Sequence, residues 1–181
     1  MTYQPTDYER ALYKWLELVV GGEVTDVRYA DQYAARPDRP FVTLKCAPPR
    51  LMQTAKVDTT DVELPDGTHQ VRITEHRVGT VSVNVFGATH KSLIESIERS
   101  LADPFVTDHN TANGVEVQDS ISQAQDLTEL MSTEFEGRSQ QDFRFAFAKQ
   151  THSPHGMPVL KTSSATGEAG DLTTTHTLED T

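Results

Sequence analysis

An alternating strand followed directly by an amphipathic helix narrows the possible folds more than any other feature of this chain. Val81, Val83 and Val85 alternate with Ser82 and Asn84, which predicts a strand with one buried face and one wet face. From about Thr89 to Ala102, apolar residues recur at helical spacing. An apolar sheet face must be covered by another layer, so these two elements predict an α/β (α+β) fold.

A second amphipathic helix is predicted at the N-terminus, from about Asp7 to Val20. Thr6 and Glu9 form a capping box ahead of it, and Gly21 can end it. Short apolar or alternating runs predict strands at Val24–Tyr29, Phe41–Cys46, both sides of Pro65-Asp66-Gly67, Val81–Val85, Gly114–Val117 and Phe143–Phe147. We therefore expect a mostly antiparallel sheet with two helices packed on it, the second helix ending at Asp103-Pro104.

Two segments are less regular. Asp126–Arg138 fits either a helical turn or an extended pair, and both interpretations stay open. From His152 onward the chain is rich in Ser, Thr, Gly and Pro and poor in apolar residues. Burial of so little apolar surface cannot offset the conformational entropy that is lost when the segment becomes ordered. We expect one domain over residues 1–151 and a flexible C-terminal tail over residues 152–181.

Charge and composition exclude several classes of protein. The 181 residues carry a formal net charge of −11, which argues against a nucleic-acid binder that neutralises phosphates. The mean hydropathy is −0.51, and no apolar run approaches the roughly 20 residues of a membrane span. The N-terminus lacks a secretory pattern, and the single Cys46 cannot form an internal disulfide. These features are typical of an intracellular protein without a membrane segment.

The usual signatures of catalysis, phosphate binding and zinc binding do not occur in the sequence. We expect no catalytic residue, metal ligand or cofactor. A small hydrolase that uses His76 or His90 with an acidic partner stays open as an alternative. Cys46 lies on an alternating strand and is interpreted as a small buried residue, and Trp15 as an anchor of the core.

The segment around Glu136, Arg138 and Asp142 is the main polar cluster. Glu136 and Arg138 could form a surface ion pair at the start of a strand, which would contribute little. Alternatively, Arg138 could bind a carboxylate across a subunit interface, where water is excluded.

Several elements in order resemble the neck and tail-terminator proteins of tailed bacteriophages. They are the helix with Trp15, then Tyr29-Ala30-Asp31-Gln32, a Pro-bounded loop, Pro40–Leu44, Val81–Gly87, a helix, and Phe135–Arg138 before Asp142-Phe143. The resemblance covers residues 5 to 151. It implies an α/β fold without catalysis and a ring, usually of six copies, that caps the tail tube and joins it to the head connector. It also places Glu136, Arg138, Asp142, Arg36 and Arg39 at subunit or connector contacts.

The resemblance further implies the partners and the location. The chain would contact copies of itself, the tail tube protein, the sheath if the tail contracts, and the head-tail connector, while DNA passes through the lumen without specific binding. It would lie at the head-tail junction of the virion, after assembly in the host cytoplasm. A head-completion or connector adaptor protein is the closest alternative, and an acidic module that binds a basic protein is another.

Overall fold

The computed structural model of the chain describes residues 3–32, 35–52, 58–63, 69–131 and 134–152. These residues contain three helices and ten strands. In chain order they are α1 (Asp7–Val20), β1 (Asp26–Tyr29), β2 (Phe41–Cys46), β3 (Arg50–Leu51), β4 (Asp58–Glu63), β5 (His69–Phe86), α2 (His90–Ser100), α3 (Pro104–Ala112), β6 (Glu116–Ser120), β7 (Gln125–Asp126), β8 (Glu129–Met131), β9 (Glu134–Glu136) and β10 (Arg138–His152). The predicted fold class, α+β with a mostly antiparallel sheet, is confirmed.

The two longest strands, β5 and β10, form the centre of the main sheet. They pair antiparallel without interruption from Arg138 opposite Phe86 to His152 opposite Arg72. The main path of the sheet is β1-β2-β5-β10-β6, with β3 and β4 also paired to β5 and β7 to β10. Only β1 and β2 run parallel among the described pairs, and β8 and β9 form a separate hairpin. Because side chains alternate between faces, every second residue of these strands points to the same side.

The three helices lie on one face of this sheet, which we call the helix-covered face. Its core consists of α1, α2 and alternate residues of β2, β5 and β10. The buried apolar side chains include Leu12, Trp15, Leu16, Val42, Leu44, Val81, Val83, Val85, Leu93, Ile94, Ile97, Phe143 and Phe145. The sequence predicted one buried face for Val81–Val85, and all three valines are fully buried.

Helix α1 has the bounds that the sequence predicts. The capping box is formed. The carboxylate of Glu9 accepts a hydrogen bond from the backbone N–H of Thr6, and the side chain of Thr6 accepts one from the backbone of Glu9. Trp15 is fully buried, and its ring meets Phe143 edge-on at 5.5 Å between centroids. Its prediction as a core anchor is confirmed.

Gly79, in the middle of β5, lets an aromatic ring lie flat on the sheet. Phe145 is the cross-strand partner of Gly79, and a Cβ added there would come within 2.5 Å of the Phe145 ring. The ring of Tyr8 from α1 stacks on the same phenylalanine and on Phe147. A glycine at this point therefore allows α1 to approach the sheet closely.

Beyond these aromatic contacts, β5 and β10 continue together and are joined by β4. We call this three-stranded part the β-arm: β4, residues 69–76 of β5 and residues 148–152 of β10. At about 3.3 Å per residue, the eight residues of β5 in the arm span about 26 Å. The antiparallel pairing of β4 with β5 confirms the predicted hairpin, whose turn at Pro65-Asp66-Gly67 lies outside the described residues.

The structure differs from the sequence prediction in two places and decides a third that was left open. Asp103-Pro104 does not simply end a helix, because Asp103 caps a third helix, α3, through its bond to the N–H of Phe105. The two strands predicted on either side of Thr74–Arg77 are one continuous strand, β5. The described residues of the ambiguous segment Asp126–Arg138 include two strands, β8 and β9.

Two further observations concern the ends and the helices. β10 ends at His152, and residues 153–181 of the predicted tail lie outside the described residues, so the division at residue 151 stays a prediction. None of the helices in the described part of the chain has the length and apolar character needed to cross a membrane.

Candidate subunit interface

Four of the five predicted interface residues meet at one end of the sheet, on the face without helices. The register places Phe41 of β2 opposite Phe86 of β5, and Phe86 opposite Arg138 of β10. The loop before β2 carries Arg36 and Arg39 over this end, and the turn before β10 brings Glu136 to it. We call the seven residues Arg36, Arg39, Phe41, Asn84, Phe86, Glu136 and Arg138 the arginine cluster.

Glu136 is the buried carboxylate of the arginine cluster. Its side chain is only 8% exposed and forms ion pairs with Arg36 and with Arg39, the latter at 3.1 Å from Nε to Oε1. One of the two interpretations of this segment, an exposed ion pair between Glu136 and Arg138, is wrong, because the loop of residues 35–40 lies over Glu136 and supplies both of its partners. The other, a contact of Arg138 across a subunit interface, stays a prediction.

Arg138 lies flat on the sheet beside this pair. Its guanidinium donates to Oδ1 of Asn84, at 2.9 Å from Nη2 and 3.3 Å from Nε, and lies 5.2 Å from the centre of the Phe86 ring. Asn84 is directed to this face because it alternates with the buried valines of β5. Both contacts fix the plane of the guanidinium, which leaves its position well defined at the surface.

Arg36 also lies over the ring of Phe86, and over the neighbouring ring of Phe41. The rings of Phe41 and Phe86 stack 4.5 Å apart, and the Arg36 guanidinium lies 5.4 and 5.5 Å from their centres. Burial first, and then the charge of Arg39, lower the pKa of Arg36. The side chains of Arg36 and Arg39 nevertheless stay 43% and 41% exposed, so both can contact another molecule.

Backbone contacts fix the loop that carries the two arginines. The N–H and hydroxyl of Thr25 both donate to the carbonyl of Pro40, at 2.7 and 2.8 Å, and the peptide between Arg39 and Pro40 is cis. Gly87, with φ of +122°, turns so close to Pro40 that a Cβ there would lie 3.1 Å from its Cα. This positive φ suits glycine and lets the turn after β5 pack against the loop.

Asp142, the fifth predicted residue, lies apart from the arginine cluster. It shares a strand and a face with Arg138 but is four residues, or about 13 Å, farther along β10. Its carboxylate accepts a hydrogen bond from Ser82, and its backbone N–H donates to Ser122. Asp142 therefore joins β10 to β5 and to the residues that follow β6, and it does not lie beside Glu136.

The two histidines of the hydrolase alternative are separated in the fold. His90 is buried at the start of α2, where Nδ1 lies 2.6 Å from the hydroxyl of Ser139. His76 is exposed on β5 in the β-arm, fourteen positions earlier in the chain. Among the described residues, no group of three or more His, Cys, Asp or Glu side chains is arranged to hold a metal ion.

Sequence reasoning did not include Phe41, Asn84 and Phe86 in the candidate interface. Phe41 and Asn84 lie within the strands predicted at Phe41–Cys46 and Val81–Val85, and Phe86 directly follows the second of these. The alternation of Asn84 with buried valines already directs it to the polar face. What the sequence does not contain is the register, which brings Phe41, Phe86 and Arg138 into one row.

Comparison with known proteins gives one family. A family model described as phage neck terminator protein matches residues 6–169 of the chain. The match begins at the cap of α1 and includes every element of the main sheet. A search of curated proteins found no match.

Proposed function

The chain belongs to the family of phage neck terminator proteins, and from this membership we propose that its copies form a closed ring that caps the tail tube and joins it to the head connector. The family makes it a structural protein of the phage neck and therefore a virion component. The ring, the capped tube and the position at the head-tail junction are the proposal.

One observation supports this proposal most directly: a positively charged patch on an acidic chain. The arginine cluster contains three guanidinium groups and one carboxylate, and that carboxylate is buried. The whole chain has a formal net charge of −11, so acidic groups are abundant elsewhere on the molecule. A closed ring needs two different patches on each copy, one for each neighbour, and opposite charges favour such a contact.

The rest of the charge suits a ring around DNA. Like charge on the wall of a channel repels passing phosphates and keeps them from binding. We propose that acidic side chains line the lumen and that the arginine cluster faces a neighbouring copy or the connector. The DNA then passes without specific contacts.

The proposed partners follow from the position in the neck. They are copies of the chain itself, six in the usual ring of such proteins, the tail tube protein with a sheath if the tail contracts, and the head-tail connector. Assembly takes place in the host cytoplasm. A head-completion or connector adaptor would use the same cluster on a different partner, so the test below includes both partners.

The test is assembly of the purified full chain alone, with isolated tail tubes, and with heads that carry the connector. We expect light scattering to give the mass of a closed ring, either alone or once tubes are added, and electron micrographs to show the chain at the tube end. Arg138→Glu places a negative charge where the cluster is positive and should reduce ring formation at least tenfold. Arg144→Glu is the matched control, since Arg144 lies on the same strand and face and pairs with Asp119 at 3.7 Å.

Three outcomes decide between the candidates. Circular dichroism must first show that both variants keep the fold of the parent chain. A chain that stays monomeric and ignores tail tubes would refute the ring. Binding to connector-bearing heads but never to tubes would replace the terminator with the adaptor. Equal assembly by both variants would remove the arginine cluster from the interface.

A further inference from the structure

The β-arm has two strand edges that no described strand covers. In the part of the chain that the structure describes, β6 and β7 pair with β10 only up to Ala146, which leaves residues 147–152 unpaired on the side away from β5. On the other side of the arm, β4 pairs with β5 along one edge, and the structure describes no strand along its second edge. Open edges of this kind are templates for pairing with another chain.

The backbone of β10 directs its hydrogen-bonding groups toward this open side. Asp142 turns both its N–H and its C=O away from β5, to Ser122 and Ile121. Because β10 keeps an unbroken register with β5 and alternate residues face alternate edges, Ala148 and Gln150 direct their groups the same way. An added strand would therefore find donors and acceptors at regular spacing.

There is room beside this edge. Two grooves, of about 470 and about 440 Å³, open on either side of Phe147 and Ala148. Their walls are formed by the first turn of α1, the end of α3 and the residues before β6.

The two open edges, residues 147–152 of β10 and 58–63 of β4, fit each other in direction and charge. Both strands are antiparallel to β5, so they point the same way, and rotation about an axis along the strands would place them side by side in parallel. The β4 sequence DTTDVE carries three acidic residues and no basic one, whereas the β10 edge FAKQTH carries Lys149 and no acidic one.

We propose that β4 of one copy adds to the open edge of β10 of the next copy, so that the β-arms form one continuous sheet around the assembly. This contact rests on the proposed ring, for which it supplies the second pair of patches. Side chains must keep their faces on passing to the next copy, which pairs even-numbered residues of β10 with even-numbered residues of β4. Gln150 beside Thr60 satisfies this rule.

That pairing needs only a small stagger between copies. Within one copy, Gln150 lies opposite Thr74 and Thr60 lies opposite Arg72, two residues or about 7 Å apart along the strands. Such an offset is a normal property of closed sheets, whose strands tilt against the axis. Closure would also leave the assembly without exposed arm edges.

A disulfide between copies tests the contact. The double variant Gln150→Cys/Thr60→Cys, in a Cys46→Ala background, is oxidised mildly at the concentration at which the chain assembles. Inside one copy these positions lie on opposite sides of β5, about 10 Å apart across the sheet and about 7 Å along the strands. Their Cα atoms are therefore about 12 Å apart, beyond the roughly 7 Å that a disulfide allows. Any disulfide must therefore join two copies. We expect a ladder of covalent multimers that stops at the mass of the native assembly.

Two controls use the same chain. Thr151→Cys/Thr60→Cys moves one thiol by a single residue to the opposite face, and we expect at least tenfold less covalent product. Mixing the two single variants, Gln150→Cys and Thr60→Cys, should give covalent dimers and no longer species. Light scattering of every sample before oxidation gives the size of the assembly independently.

Each result decides between the two proposals. A ring of normal mass without covalent multimers, or with equal yield from the Thr151 control, would overturn the arm contact and leave the ring standing. A ladder without an upper limit would support the arm contact and refute closure. A chain that remains monomeric and uncrosslinked, with tail tubes present, would overturn both.

Discussion

The ion pairs of Glu136 make a sharp prediction about stability. Glu136→Gln keeps the shape of the side chain and removes its charge, so Arg36 and Arg39 lose the carboxylate that draws the loop onto the sheet. We expect the variant to unfold more easily while keeping the same fold, because the packing around position 136 does not change.

The expected magnitude lies between two known limits. An exposed ion pair contributes about 0.2–1 kcal/mol, whereas breaking a fully buried pair costs about 3–5 kcal/mol. Glu136 is buried, but both arginines are about two-fifths exposed and can regain water once the carboxylate is lost. The two pairs together should therefore contribute about 1–2 kcal/mol. For a domain of this size, that corresponds to a fall in Tm of about 2–8 °C.

Urea unfolding at one fixed protein concentration measures this difference, with calorimetry as a second readout. Asp31→Asn is the matched control, because Asp31 pairs with Lys45 at 3.1 Å while both side chains are more than half exposed. We expect no measurable shift for the control. If Glu136→Gln unfolded at the same urea concentration as Asp31→Asn, the carboxylate would not hold the loop, and the account of the arginine cluster given above would be wrong.

Two further predictions concern the sheet. Burial, followed by the charge of Glu9, raises the pKa of Cys46 to about 12. The contribution of this thiol to the free energy of unfolding should therefore be complete below the ordinary thiol pKa of about 9. It should be lost as the pH rises from 9 toward 12, by up to about 1.4 kcal/mol per pH unit. Cys46→Ala should show a shallower fall in urea unfolding between pH 8 and 10.5, and parallel curves for the two proteins would contradict this. Gly79→Ala places a methyl group against the Phe145 ring and should cost about 1–3 kcal/mol, whereas Gly22→Ala, which meets no atom within 4 Å, should be neutral. Equal unfolding midpoints for the two glycine variants would show that the ring does not rest on the sheet as described.

Local signals in the sequence were enough for the elements that carry their own boundaries. The bounds of α1 were predicted correctly because a capping box starts it and a complete apolar stripe defines its length. β2 was equally clear, since Pro40 precedes it and Pro48-Pro49 follow it. Such signals act within a few residues and do not depend on the rest of the fold.

The errors arose where one local signal has two meanings. Asp103-Pro104 ends one helix, but the same pair is also an N-cap followed by proline at the first helical position, which begins α3. Thr74–Arg77 and Gly79 interrupt the apolar pattern of β5 without breaking the strand, because β10 pairs with every residue there. Pairing over fifteen residues outweighs the weak local preference.

The candidate interface could be predicted only in part, for a similar reason. Glu136 and the two loop arginines were all named from the sequence, but their partnership depends on a loop a hundred positions away in the chain. Sequence proximity suggests Arg138, at i+2, as the partner of Glu136. The guanidinium of Arg138 instead contacts Asn84 and Phe86, whose position beside it is set by strand register alone.

The continuity of β5 and β10 has a mechanical consequence. The same two strands run from the helix-covered core to the tip of the β-arm and are bound to each other by an unbroken ladder from Arg138 to His152. A pull on the tip along the strand axis is therefore shared by the whole ladder at once, in shear, and is not applied to one bond after another as in peeling. A force applied to the arm is therefore transmitted to the packed aromatic rings under α1 with little deformation of the strands between them.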